Sequence, residues 1–162
     1  MRDARARSSV AAAALLAAAC ASHGGAAGAA AAAAPLAPPA IAPALGVDFA
    51  AMRTTPSGVY VRDLRVGSGA TAVGGAMVQV RYRGWLADGT PVDSTAASDA
   101  PVSFRLGRGA VIRGWDEAIP GMRVGGQRQL VIRPQLGYGR KGTGPIPPNA
   151  TLVFTIDLVA AR

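Results

Sequence analysis

From Met77 to Leu86 apolar and polar side chains alternate, with Val78, Val80, Tyr82, Gly84 and Leu86 set against Gln79, Arg81, Arg83 and Trp85. A period of two held over that length predicts a strand with one buried face. Residues 151–159 repeat the pattern, placing Leu152, Phe154, Ile156 and Leu158 on one side. Segments 59–66, 102–106 and 127–133 are shorter candidates of the same kind. One brief helix is predicted at 115–119, stopped by Pro120-Gly121. Several short strands separated by Gly/Pro turns imply an antiparallel sheet. With a single helix laid across its apolar face, the fold class is α+β.

Composition divides the 162 residues sharply, since 11–47 are mostly Ala, Gly and Pro whereas 56–162 mix β-branched, charged and glycine residues. A domain of that second size buries roughly 65% of its unfolded surface, enough for one core without disulfides. Arg2, Arg5 and Arg7 precede the apolar run Val10 to Ala19, the layout of a secretory signal over 1–20. That run falls short of the roughly 20 residues a membrane-spanning helix needs. Leu16-Ala-Ala-Ala-Cys20 resembles a bacterial lipoprotein processing site, which would make Cys20 the lipidated first residue. Ala17-Ala-Ala19 satisfies an ordinary A-x-A cleavage site as well. The expected location is therefore the periplasm, free or membrane-anchored through Cys20. Translation from Met52 would give a cytoplasmic protein with the same domain. Residues 21–55 have the composition of a disordered tether, and 56–162 form the domain.

Charge and residue inventory narrow the chemistry. The net charge is +8, yet the 14 basic residues from Arg53 onward are scattered singly, as on a solvated sheet surface. Nucleic acid is not an expected partner. The only cysteine, Cys20, and the only histidine, His23, both precede the domain. That excludes a Cys/His zinc site within it and removes the usual general base and thiol nucleophile. No metal or cofactor is expected. Gly137-Tyr-Gly139-Arg-Lys-Gly142 matches the G-x-G-x-x-G dinucleotide fingerprint. Thr143-Gly-Pro-Ile-Pro-Pro follows it, so no helix opens behind the glycines to hold a pyrophosphate.

Three separated motifs stand in order along the domain. They are Tyr82-Arg-Gly-Trp-Leu-Ala-Asp-Gly-Thr-Pro-Val-Asp93, then Gly107-Arg-Gly-Ala-Val-Ile-Arg-Gly-Trp-Asp-Glu-Ala-Ile-Pro-Gly-Met-Arg-Val124, then Tyr138-Gly…Ile146-Pro-Pro-Asn-Ala-Thr-Leu-Val-Phe154. Together they resemble the FKBP-type peptidyl-prolyl cis-trans isomerases over about 56–162. The resemblance implies a curved, half-open antiparallel sheet wrapped around one short helix. It also implies an enzyme that speeds X–Pro rotation in folding polypeptides with an apolar pocket. By the same resemblance Trp115 forms the pocket floor and Tyr82, Asp93 and Tyr138 share the catalytic roles. Val92, Phe104, Val111, Ile112, Ile146 and Phe154 would bind substrate, with the Ile112 N–H and the Tyr138 hydroxyl donating to its carbonyls. Taken singly, Trp115, Tyr82 and Phe154 read equally well as core aromatics, and Asp93 as a turn residue.

The chain departs from the family pattern where Val92 and Val102 replace aromatic residues, Ser98 an arginine, and Ala110 a carboxylate or glutamine. These changes imply a wider bowl, altered preference for the residue before proline, and weakened macrolide inhibitors. The expected protein is a monomer without an added chaperone insertion or helical dimerisation domain. A non-catalytic module or holdase for proline segments is the alternative that the same departures keep open.

Overall fold

A computed structural model describes residues 37–98 and 100–162. The leader expected over 1–20, with Cys20, and the tether up to residue 36 lie outside the described residues. The strands are β1 (Arg53–Thr54), β2 (Tyr60–Arg65), β3 (Met77–Leu86), β4 (Pro91–Ser94), β5 (Val102–Arg105), β6 (Gln127–Ile132) and β7 (Leu152–Ala161), with helix α1 (Arg113–Ala118) between β5 and β6. All pairings are antiparallel, in the order β1-β2-β6-β7-β3-β4, and β5 also pairs with β3. This is the α+β architecture expected from the alternation in β3 and β7, the two longest strands. They pair along almost their whole length at the centre of the sheet.

Alternation sorts the sheet into two faces. Val61, Val78, Val80, Leu130, Ile132, Leu152, Phe154, Ile156 and Leu158 turn one way and bury Trp115, Ala118 and Ile119 of the helical segment. The helix approaches β6 closely because residue 114 is glycine. A Cβ there would meet the Ile132 side chain at 2.7 Å. Its C-terminal end is held by Arg128, a residue of β6 whose side chain is only 3% exposed. The guanidinium donates to the Ala118 and Pro120 carbonyls at 2.5 and 3.3 Å, and pairs with Asp63 of β2 at 2.5 and 3.1 Å. One buried cation thus satisfies helix-end carbonyls that have no partner inside a helix and ties α1 to two strands.

The opposite face carries a correction. The tether expected to run to residue 55 does not: from Ile41 the chain packs as a strap on the far side of the sheet. Ile41, Leu45, Val47, Phe49 and Met52 surround Tyr60, Val131 and Val153, the residues that alternation turns away from α1. The Phe49 and Tyr60 rings meet edge to face at 4.9 Å. The Ala42 N–H donates to the Ala87 carbonyl at 2.7 Å, and Gln129 Nε2 donates to the Leu45 carbonyl at 2.9 Å. Covered on both sides, β6 is buried from Arg128 to Ile132.

Candidate active site

A concavity of about 180 Å³ opens beside α1 on the helix-bearing side of the sheet. Trp115, in the first turn of the helix and 6% exposed, forms its base. Tyr82 from β3 and Phe154 from β7 stand edge-to-face around the indole, with centroids 4.8 and 5.2 Å away. Such contacts add about 0.5–1.5 kcal/mol each beyond the area they bury, so the rings fix one another's orientation. The indole N–H is buried without a hydrogen-bond acceptor among the described residues. Phe154 reaches this position because its cross-strand partner is Gly84. A Cβ at residue 84 would lie 2.5 Å from the Phe154 ring.

The rim is assembled from two loops, β4 and the start of β5. Val111 and Ile112 come from the turn entering α1, Tyr138 and Ile146 from the loop before β7, and Val102 and Ala110 complete the lip. The turn is pinned by Asp116, whose carboxylate accepts from the Gly107 and Gly109 N–H groups at 2.9 and 2.8 Å. Ile112 caps the helix with its carbonyl, which accepts from Trp115 N at 2.9 Å. Its own N–H makes no hydrogen bond among the described residues. Asp93, from β4, accepts the Tyr82 phenol proton at Oδ2 over 2.5 Å and the Ser94 N–H at Oδ1 over 2.8 Å. Burial first, then the Asp93 hydrogen bond and charge, push the Tyr82 phenol well above the usual tyrosine range. Tyr138 is raised too, by burial and then by the Asp93 charge. Both phenols therefore remain protonated and able to donate at neutral pH.

Eight of the ten expected pocket residues line the concavity, and two do not. Phe104 is buried in β5 with its ring 6.0 Å from Trp115, so it supports the floor from behind. Val92 is the extra residue of a bulge in β4, where Gly84 pairs with Asp93 but Trp85 pairs with Pro91. Such a bulge turns neighbouring side chains out of strict alternation. Asp93 reaches the rim while Val92 packs against the core. Val102 and Ala110, expected only as departures from a family pattern, are themselves part of the wall. Cys20 lies outside the described residues. A larger groove of about 620 Å³ is bounded by Arg81, Arg83, Gln127 and Asp157, with Tyr82 and Trp85 as its aromatic residues, and is more polar in its lining than the bowl.

The aromatic floor, the free N–H at its edge and a lining without Ser, Thr, Cys, Lys or His define a site that binds an apolar ring on a polypeptide and stabilises a geometry. The model of the FKBP-type peptidyl-prolyl cis-trans isomerases matches residues 69–159. An FK506-binding protein of Neisseria meningitidis serogroup B is 46% identical over 103 residues, covering 63% of this chain and 94% of its own. Among solved structures, FkpA from Escherichia coli aligns with TM-score 0.64 and 37% identity, over 69% of this chain and 52% of its own. AtFKBP13 aligns with the same score and identity, over 68% of this chain and 98% of its own. The chain belongs to the FKBP-type peptidyl-prolyl cis-trans isomerases, and rotation about X–Pro amides is its function.

Proposed function

We propose that this chain turns X–Pro bonds by holding the prolyl ring on Trp115, between Tyr82 and Phe154, while the amide twists. The barrier of about 18–20 kcal/mol arises from lost amide resonance. The twisted amide separates less charge than the planar one, so transfer from water to an aromatic bowl penalises the ground state more than the transition state. The Ile112 N–H and the Tyr138 hydroxyl donate to carbonyls flanking the bond and fix its direction. The Tyr82–Asp93 pair presents a polar wall to the rotating amide. The observation that carries this reading is the three-ring bowl beside an N–H with no partner among the described residues. A million-fold acceleration corresponds to about 8 kcal/mol of differential stabilisation.

The substrates follow as extended, proline-containing segments of incompletely folded polypeptides, and macrolides of the FK506 class as competitors. Their affinity is weakened by the small side chains of Val102 and Ala110 at the lip. The protein acts as a monomer exported to the periplasm, supported by Arg2, Arg5 and Arg7 ahead of the Val10–Ala19 run. Lipidation at Cys20 would retain it on the membrane. A start at Met52 would delete Ile41, Leu45, Val47 and Phe49 from the second apolar cluster, which favours the longer chain.

The test is the cis-to-trans rate of proline tetrapeptides differing in the residue before proline, catalysed by the full chain. Loss of acceleration in a folded Trp115→Ala variant supports the bowl. Unchanged acceleration in that variant sinks it.

A further inference from the structure

The outer edge of β3 is shared by two strands that do not meet. β5 pairs with it from Met77 to Val80, and β4 from Arg83 to Trp85. Tyr82 falls in the gap. In an antiparallel ladder a residue's N–H and C=O face the same edge, so a missing partner orphans both groups together. At Tyr82 both are taken by one side chain. The Tyr82 N–H donates to Thr95 Oγ1 at 3.0 Å, and the Thr95 hydroxyl donates to the Tyr82 carbonyl at 3.3 Å. Thr95 is 5% exposed, so water has little access to take its place.

Thr95 stands two residues after Asp93, at the start of a 3-10 turn over Thr95–Ala97. Ser94 fixes that turn by accepting the Ala96 N–H on its hydroxyl at 2.9 Å. The segment leaving β4 therefore grips Tyr82 at two points, the main chain through Thr95 and the phenol through Asp93. Moving either end of this short segment moves the other.

We propose that Thr95 is a positioning residue of the isomerase site. Its hydroxyl stands in for the absent strand and sets the Tyr82 phenol on Asp93. The inference rests on the role given to Tyr82 in the proposed mechanism, and its test separates the two. Neither chain neighbour could substitute, since Ser94 spends its hydroxyl on the turn and Ala96 has no polar side chain, and the described backbone offers no strand on the outer edge at Tyr82.

The experiment compares the full chain with Thr95→Val, Thr95→Ser and Tyr82→Phe. It reads tetrapeptide kinetics, the alkaline titration of the Tyr82 phenol by carbon-13 NMR, and hydrogen exchange of the Tyr82 amide. Thr95→Val is expected to lower kcat by about tenfold with KM little changed, the size expected for losing hydrogen bonds that orient a group. The Tyr82 phenol should titrate at lower pH in this variant and its amide should lose protection. Thr95→Ser restores all three readouts. A folded Thr95→Val with unchanged titration and exchange overturns the proposal. Should that variant not fold, a Tyr82 amide unprotected in the parent chain, or a Thr95→Ser that loses the titration signature, overturns it equally. Full activity in Tyr82→Phe would instead remove Tyr82 from the mechanism, with titration and exchange still deciding whether Thr95 holds it.

Discussion

Tyr82 and Asp93 lie 2.5 Å apart, phenol oxygen to carboxylate Oδ2, although 11 positions separate them in the chain. The contact exists because the bulge at Val92 re-aims β4 and brings Asp93 opposite Gly84, next to Tyr82 on β3. If the pair acts on the rotating amide, Asp93→Ala should lower kcat/KM by about tenfold, as expected for removing a hydrogen bond to a charged group. Asp93→Asn, which still accepts from the phenol, should lose less. Steady-state kinetics on a single tetrapeptide checks both.

The raised phenols have a consequence for stability at high pH. A tyrosine whose pKa is higher in the folded than in the unfolded chain keeps its proton in the fold after the unfolded chain has released it. Its contribution is whole below about pH 10 and is lost as the pH climbs beyond that value. Urea unfolding between pH 8 and pH 11 should show the decline. Tyr82→Phe should flatten it in part, and Tyr82→Phe with Tyr138→Phe further.

Arg128 and Arg113 both pair with carboxylates, with opposite expectations. Arg113 meets Glu117 on the helix surface at 2.8 Å with 71% of its side chain exposed, and Arg113→Ala should change stability by less than about 0.5 kcal/mol. Arg128 is buried and carries the end of α1. Arg128→Met should cost about 2–4 kcal/mol, because two carbonyls and Asp63 lose their donor together. Asp63 can rehydrate, being 34% exposed, which keeps the figure below that for a wholly buried pair. Denaturant midpoints of the two variants decide the contrast.

The strap is expected to belong to the folded unit. Chains beginning at residues 37 and 52 should differ by about 3 kcal/mol in unfolding free energy, the worth of a few half-buried apolar side chains including Phe49. Equal midpoints would mean that the strap lies on the sheet without stabilising it.

The central strands were legible in the sequence through alternation, whereas the bowl was legible through the family resemblance of three ordered motifs, with alternation adding the inward placement of Tyr82 and Phe154. Tyr82 and Phe154 sit at inward positions of strands whose other inward positions are aliphatic, and Pro120-Gly121 marks the end of the helix. The strap was hidden by composition. Its anchors Leu45, Val47 and Phe49 do alternate, but among alanines and prolines that weaken any periodic signal. Val92 and Phe104 lie outside the concavity for different reasons. A bulge adds one residue without a local signature. Whether a buried aromatic faces a pocket or backs it depends on packing between elements distant in sequence. Arg128 is the reverse case, a charged residue in phase with the inward-facing Leu130 and Ile132, which lies inside because the helix end supplies carbonyls for it. The two-point grip on Tyr82 was invisible, since it depends on where β4 stops and β5 begins.

The glycine behind Phe154 makes the bowl adjustable from its rear. A single methyl at residue 84 would strike the ring at 2.5 Å and drive it toward the cavity or out of its seat. Pocket width can thus be tuned through a residue outside the lining, so that ligands of different bulk are sorted without replacing any side chain that touches them.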